Sequence, residues 1–264
     1  MKLTDKISFV LLTILVYSHT TAQSPEQKGL EVAEKAIKAD EGFVSSEVEL
    51  KMILRNKQGQ ESERFLENKT FELTEDGDKS MVVFNSPKDV KGTATLTFTH
   101  KVGSDDQWLY LPSIKRVKRI SSSNKSGPFM GSEFAYEDLS SDEVEKYTYK
   151  YVEESTVNGD PVAVVEQYPV DPKSGYKKRV AFYNLDKDYR MEKIEFYDRK
   201  GAKLKTLTYS GYKKYLSKHW RADKFYMVNH QTGKETELYF SNYSFKTGLA
   251  ESDFSQNALI RASR

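Results

Sequence analysis

Apolar and polar residues alternate with a period of two along most of the chain after residue 44. Val48, Leu50, Met52 and Leu54 alternate with charged residues, as expected for a strand that buries one face. The segment 94–101 repeats this alternation, with threonine at three of its polar positions. Similar patterns predict further strands at 64–73, 81–84, 146–154, 161–167, 178–183, 191–197, 203–209, 224–229 and 235–243.

Short turn sequences separate these predicted strands, for example Asn158-Gly159 and Arg199-Lys200-Gly201. Gly, Asn and Asp at such spacing are typical of hairpins, and short connections make neighbouring strands antiparallel. About eleven strands in series predict a mainly β (α+β) fold, a large curved sheet or half-open antiparallel barrel. No linker or low-complexity segment interrupts residues 23–264, which are expected to form a single domain.

The helical period appears at the start of this domain. Ser24, Pro25 and Gln27 have the order of an N-cap, a first-turn proline and a capping-box glutamine. Apolar residues at positions 30, 33 and 37 then predict one helix up to about Asp40, ended by Gly42. A second short helix is expected at 137–143. Two helices are too few to cover so large a sheet, so we expect the concave face to be part core and part cavity.

The first 22 residues have the layout of a secretory signal peptide. Lys2 and Lys6 provide a basic start, the run from Ile7 to Val16 is mostly apolar, and Thr20-Thr21-Ala22 offers small residues for cleavage near Ala22. The apolar run is shorter than the roughly 20 residues of a membrane span. The chain has no cysteine, so neither lipidation nor a disulfide framework is expected, and the localisation predicted is periplasmic.

Composition and charge exclude several functional classes. The 264 residues carry a net charge of +2, too balanced for a nucleic-acid binder, and the 17 Tyr and 14 Phe argue against disorder. The few histidines lack metalloprotease spacing, and neither a nucleophile elbow nor a phosphate-binding loop occurs. We therefore expect a protein that is not an enzyme and that has no cofactor and no metal site.

The central segment 105–139 departs from the alternation and contains the candidate ligand contacts. Its first part, from Trp108 to Pro112, is apolar on both faces, so it is either a covered core strand or a ligand contact. A glycine-flanked loop follows and presents Phe129 and Met130, which either gate a cavity or plug the core. The candidate cavity or gate residues are Trp108, Tyr110, Leu111, Phe129, Met130, Phe134 and Tyr136.

Four bases lie between these two groups of apolar residues. One interpretation is an edge strand protected by its charge. The other is a contact with an anion such as a lipid headgroup or an acidic partner at a membrane. The candidate residues are Lys115, Arg116, Lys118 and Arg119.

The same central segment resembles the LolA-like outer membrane lipoprotein-sorting protein family. The resemblance is carried by Gly92-Thr93-Ala94, by residues 105–112, 115–120 and 129–139, by Tyr197-Asp198-Arg199 with Gly201, and by Gly248-Leu249 with Phe254 and Leu259. It implies a half-open LolA/LolB-like barrel with helices on its concave face and a hydrophobic cavity between them.

The resemblance also implies a function. The best-known members of the family act as periplasmic chaperones that carry the acyl chains of lipoproteins. The branch resembled here is associated with exporters of the resistance-nodulation-division (RND) type. We therefore expect a monomeric carrier that takes an acyl chain or another lipid from an inner-membrane donor to an outer-membrane acceptor. The alternative is a non-catalytic sensor or adaptor that binds lipid or protein and regulates a partner.

Overall fold

The computed structural model describes residues 23–263, so the predicted signal peptide lies outside the described residues. The helices are α1 (Pro25–Asp40) and α2 (Gln256–Ala262). The strands are β1 (Ser45–Arg55), β2 (Glu61–Phe71), β3 (Lys79–Ser86), β4 (Ala94–Phe98), β5 (Asp106–Leu111), β6 (Arg116–Ile120), β7 (Tyr147–Val157), β8 (Asp160–Pro169), β9 (Tyr176–Asn184), β10 (Met191–Asp198), β11 (Lys203–Tyr215), β12 (His219–Asn229) and β13 (Glu235–Phe245). No helix in this part of the chain is long and apolar enough to cross a membrane.

All thirteen strands form one antiparallel sheet in the order β6-β5-β4-β3-β2-β1-β13-β12-β11-β10-β9-β8-β7. Neighbours in the sheet are neighbours in the chain, except that β1 pairs with β13. The strands β6 and β7 each have one free edge, so the sheet is not closed. This confirms the half-open antiparallel architecture.

The sheet has thirteen strands rather than about eleven. The short strands β5 and β6 complete one side of it, and neither shows the alternation that identifies a half-buried strand. The first is apolar on both faces and the second is mostly basic. Their strand conformation depends on the pairing of β5 with β4 and of β6 with β5, which the local pattern does not encode.

The two faces of the sheet carry separate cores. On the inner face, alternate residues of β1 (Val48, Leu50 and Met52) pack with Phe84 and with apolar residues of β9–β13. On the outer face, alternate residues of β3–β5 pack beneath Leu259 of α2. The expectation that the helices lie on the concave face is therefore correct for α1 and wrong for α2, because the outer face of β3–β5 is itself apolar and needs a cover.

A long connection, which we call the crossing segment (residues 121–146), links the two edges of the sheet. It leaves β6, passes over the inner face and enters β7 at the opposite edge. Its backbone forms short 3₁₀ turns at Phe129–Gly131, Tyr136–Leu139 and Val144–Lys146. The helix expected at 137–143 is thus only a single turn.

Helix α1 begins and ends as its sequence predicts. The Ser24 hydroxyl accepts from the Gln27 amide, the Gln27 side chain accepts from the Ser24 amide, and Pro25 occupies the first turn. Val32 and Ala33 are buried against β7–β9. This confirms a helix over residues 25–40 and places it beside the edge strand β7.

Gly29 allows the backbone of α1 to touch the backbone of β7. A Cβ atom at this position would lie 2.8 Å from the Tyr151 amide nitrogen. We expect Gly29→Ala to lower thermal stability, although alanine stabilises an exposed helical position by about 1 kcal/mol relative to glycine. The matched control is Glu34→Ala on the exposed face, which is expected to leave the melting temperature nearly unchanged. Higher stability of Gly29→Ala would show that the helix can move away from β7 at no cost.

Candidate functional site

The crossing segment is held on the inner face by polar side chains of the sheet. The Gln107 amide donates to the Thr97 hydroxyl (3.3 Å) and to the Tyr136 carbonyl (2.8 Å). The Thr99 hydroxyl accepts from the Ser141 amide at 3.1 Å. The threonine face of β4 is thus buried beneath the crossing segment. Side chains of the sheet make hydrogen bonds with backbone groups of this segment, which has no regular secondary structure to pair them.

A buried ion pair anchors the middle of the segment. The Asp138 carboxylate accepts from the Lys205 ammonium at 2.6 Å and from the Tyr176 hydroxyl at 2.8 Å. The Lys205 ammonium also donates to the Glu133 carbonyl at 2.9 Å. Burial and the nearby carboxylates raise the pKa of Tyr176. Removing one member of such a buried pair typically costs about 3–5 kcal/mol, so this contact strongly favours the position of the segment over β9 and β11.

A first cavity on the inner face, which we call the helix cavity, lies beneath the C-terminal half of α1 and has a volume of about 880 Å³. Ala33, Ala36 and Ile37 of α1 form one wall, and the sheet adds Tyr149 and Met191. The charged residues among its lining include Asp40, Glu72, Asp78, Lys101, Asp142, Glu143, Arg179, Arg190, Lys218 and Arg221. The helix cavity therefore offers both apolar and ionic surroundings.

The second cavity, which we call the sheet cavity, lies between the crossing segment and β10–β12 and has a volume of about 600 Å³. The sheet contributes mostly apolar and aromatic side chains to it. These are Met191, Ile194, Phe196, Leu207, Tyr209 and Phe225. The crossing segment and the neighbouring loops add charged side chains, among them Asp105, Lys125, Glu137, Asp138 and Lys146. A site of about 300–1,000 Å³ with an apolar wall and a few polar groups can hold a small molecule or part of a lipid.

The two cavities meet at an ion pair. Met191 and the pair between the Arg179 guanidinium and the Asp142 carboxylate line both of them. The Arg179 side chain is 11% exposed and that of Asp142 is 45% exposed, and the Gln167 amide oxygen accepts a second hydrogen bond from Arg179. Two cavities of mixed polarity thus adjoin, and together they offer apolar and ionic surroundings to an amphiphile.

Aromatic rings continue the apolar lining of the sheet cavity across β12 and β13. The rings of Tyr209 and Phe225 have centroids 4.7 Å apart, and those of Phe225 and Phe240 are 4.5 Å apart. The stack continues to Tyr243 and Phe245, with centroid distances of 6.0 and 5.9 Å. We call these five residues the aromatic ladder.

An irregularity in β13 brings the end of the ladder onto the inner face. Strict alternation would place Phe240 and Tyr243 on opposite faces. The pairing of β1 with β13 shifts register near Asn242, which has a positive φ of 56°, and a bulge of this kind reverses the alternation. No residue of the ladder was among the sequence-predicted site residues; the only signal was the aromatic density of 235–245.

The structure separates the predicted cavity residues into groups. Phe129 and Phe134 are buried in the inner core, with Met130 and Tyr136 packed against it, and Phe134 also lines the sheet cavity. Trp108 and Tyr110 belong to the outer core beneath α2, where Trp108 borders a separate cavity, and Leu111 alternates with Tyr110 and faces the other way. Of the two alternatives for Phe129, the structure has the core position: the residue is 2% exposed, since Phe84 and Tyr136 enclose its ring.

The predicted basic residues occupy the free edge of the sheet. Arg116, Lys118 and Arg119 lie on β6, and Lys115 immediately precedes it. All four are exposed. Arg119 pairs with Asp106 on the adjacent strand, whereas the other three have no carboxylate partner among residues 23–263. None of these four bases lines the sheet cavity.

Within residues 23–263 no group of three or more His, Asp or Glu side chains is arranged to hold a metal ion. The acidic residues of the helix cavity are instead distributed among basic ones. Burial, reinforced by the Glu143 carboxylate, raises the pKa of Asp78 to about 7. Burial likewise raises the pKa of Glu143.

Comparisons with known proteins agree with this architecture. Residues 76–261 match a protein-family model whose description reads "Uncharacterized protein". A structure described as an outer membrane lipoprotein-sorting protein domain from Vibrio parahaemolyticus is 54% identical to this chain, with a TM-score of 0.88, and the match covers 89% of this chain and 100% of that one. A comparison with curated proteins finds no match.

More distant structures share the same fold. A DUF1329 family protein from Desulfovibrio piger is 27% identical, with a TM-score of 0.84, over 90% of this chain and 100% of that one. A LolA superfamily protein from Nitrosomonas europaea is 20% identical, with a TM-score of 0.70 and the same coverage. The chain belongs to the LolA-like outer membrane lipoprotein-sorting protein family, as the resemblance of its central segment predicted.

Asp78 makes stability depend on pH. The folded protein holds the Asp78 proton more tightly than the unfolded chain does, because the folded pKa is about 7 and the ordinary value is 3.8. This contribution is complete below about pH 4 and is lost as the pH rises through about 7. We expect Asp78→Asn to remove part of the fall in melting temperature between pH 5 and pH 8.

The control for this measurement is Asp186→Asn at an exposed turn, whose melting temperature is expected to fall with pH as that of the parent protein does. If the melting temperature of Asp78→Asn falls by the same amount as that of the parent, Asp78 is not the source of the pH dependence.

Phe129 is expected to stabilise the inner core. Phe129→Ala should lower the free energy of unfolding by about 3–5 kcal/mol, because it leaves a cavity among buried rings. Phe65, which is 47% exposed, provides the control: Phe65→Ala should cost less than about 1 kcal/mol. Urea denaturation measures both. Equal losses would mean that Phe129 leaves the core in solution, as a gate residue would.

Proposed function

We propose that the protein is a non-catalytic periplasmic carrier whose sheet cavity binds the acyl chain of a lipoprotein or another lipid. The observation that supports this most directly is the apolar wall that β10–β12 give to the sheet cavity, which the aromatic ladder continues. The relative from Vibrio parahaemolyticus, described by its role in lipoprotein sorting, supports the same class of cargo.

The energetics are adequate for reversible carriage. Each CH₂ group transferred from water to an apolar site contributes about 0.8 kcal/mol. A chain of about 16 carbons, fully buried, would contribute on the order of 10 kcal/mol before the cost of ordering the chain. Partial burial in the sheet cavity lowers this value, so an acceptor with a larger apolar site can withdraw the ligand.

The adjoining helix cavity would take the polar end of the ligand. Its acidic and basic side chains offer partners to a charged headgroup, and Lys101, Ser141, Met191 and the Asp142–Arg179 pair line both it and the sheet cavity. In this proposal the ligand arrives from an inner-membrane donor such as an RND-type exporter and leaves to an outer-membrane acceptor.

The second candidate function is a sensor or adaptor. It is favoured by one observation: the crossing segment already covers much of the inner face through buried contacts such as the Asp138–Lys205 pair. In that case lipid or protein would bind tightly and regulate a partner rather than be transferred. Exchange of bound ligand with acceptor vesicles separates the two functions.

The direct test is native mass spectrometry of the protein purified from a bacterial periplasm, followed by lipid extraction. A bound species with the mass of a fatty acyl compound, lost on incubation with acceptor vesicles, supports carriage. A bound species that does not exchange supports the sensor. A protein that neither carries lipid nor takes up a fluorescent fatty acid contradicts both lipid-binding functions.

Phe225 provides the sharpest variant because it lines the sheet cavity and stacks within the aromatic ladder. We expect Phe225→Ser to weaken binding of a fluorescent fatty acid by about tenfold or more, through lost apolar contact. Phe65→Ser makes the same change at a half-exposed position away from the cavity and should bind as the parent does. Thermal unfolding confirms that each variant is folded. Equal affinities would exclude the sheet cavity as the site.

A further inference from the structure

The two edges of the sheet are protected in different ways. Helix α1 packs against β7 and touches its backbone at Gly29, and a register irregularity near Val152 further disrupts that edge. Strand β6 pairs with β5 alone, and β5 is the only described element with which it makes extensive contact. The outer backbone groups of β6 are therefore available for pairing with another strand.

The bases of this edge point to both faces of the sheet. Pairing places Lys118 opposite Leu109 and Arg116 opposite Leu111, on the inner face. Arg119 lies opposite Trp108, on the outer face. A lipid surface would use only the charges of this edge, whereas an added strand would also use its outer main-chain groups.

We propose that β6 is a docking edge for an acidic, extended segment of a partner protein, which adds to the sheet as a further strand. Main-chain hydrogen bonds would supply affinity, and carboxylates of the added strand would pair with Arg116 and Lys118 on the inner face and with Lys115 just before the strand. Arg116 and Lys118 have no carboxylate partner among the described residues, so no internal ion pair has to be broken. None of these three bases lines the helix cavity or the sheet cavity, and the proposal does not depend on the cargo.

The charge of this edge also disfavours pairing with a second copy of the chain. Identical basic strands repel one another when they lie side by side, which is a common protection of exposed edges. An acidic strand removes that repulsion, so the same bases that prevent self-association select the partner. Exposed positions such as Ile114, at 47% exposure, add apolar contact near the start of the strand.

The test uses the full chain, exported and purified from the periplasm, and a fluorescent peptide of sequence Thr-Val-Glu-Glu-Val-Thr-Glu-Glu-Val. Adjacent glutamates place an acid on each face of an extended strand. Anisotropy should show saturable binding, and replacing the last two valines by proline, which removes backbone donors but keeps the charge, should weaken it by about tenfold or more. Hydrogen exchange of the β6 amides should slow when the first peptide binds.

Variants locate the contact. Arg116→Ser/Lys118→Ser should weaken peptide binding by about tenfold, whereas Lys57→Ser/Lys200→Ser, with the same change in net charge at exposed turns, should have little effect. Three results would overturn the proposal: equal binding of the proline peptide, equal loss in both double variants, or unchanged exchange at β6. Binding of phosphatidylglycerol vesicles in place of the peptide would identify a membrane contact and would also overturn it.

Discussion

Because β1 pairs with β13, the consecutive strands β6 and β7 lie at opposite edges of the open sheet, and the chain between them must cross its inner face. The crossing segment cannot use the hydrogen bonds of a regular element for this passage, so its polar groups need partners on the inner face. Buried side chains supply them, most strongly through the contact of Asp138 with Lys205 and Tyr176. The position of the segment, and with it the shape of the remaining space, depends on these contacts.

The remaining space contains two adjoining cavities. Both combine charged and apolar side chains, and the wall that β10–β12 give to the sheet cavity is apolar. An ion pair between a buried Arg179 and a half-exposed Asp142 lines both cavities. Apolar and ionic surroundings therefore lie within one space, which makes an amphiphile a better match than a purely apolar ligand.

The architecture tolerates wide divergence in sequence. The TM-score remains 0.70 at 20% identity to the protein from Nitrosomonas europaea. An antiparallel sheet built from sequential hairpins requires only alternation and suitable turns, so many sequences can specify it. The site is less tolerant, because a bulge at Asn242 and a buried ion pair must occur at particular positions to bring the aromatic ladder and the crossing segment together.

The sequence by itself determined the elements that depend on local pattern. The capping residues of α1 and the alternation in strands such as β1 and β4 encode structure within a few residues, and the predicted helix and strands were confirmed there. The family could also be recognised, because the central segment is long and distinctive. The strands β5 and β6 were harder to predict because neither shows a period of two: β5 is apolar on both faces, and β6 is mostly basic.

Tertiary structure alone decided the site. The same residue type can plug a core or line a cavity, and Phe129 and Phe225 differ only in what packs around them. Residues far apart in the chain, such as Asp138 and Lys205, become partners only when the sheet curves beneath the crossing segment. Periodicity predicts which side of a helix or strand is apolar. It does not predict which apolar surfaces stay uncovered, because that depends on contacts across the whole sheet.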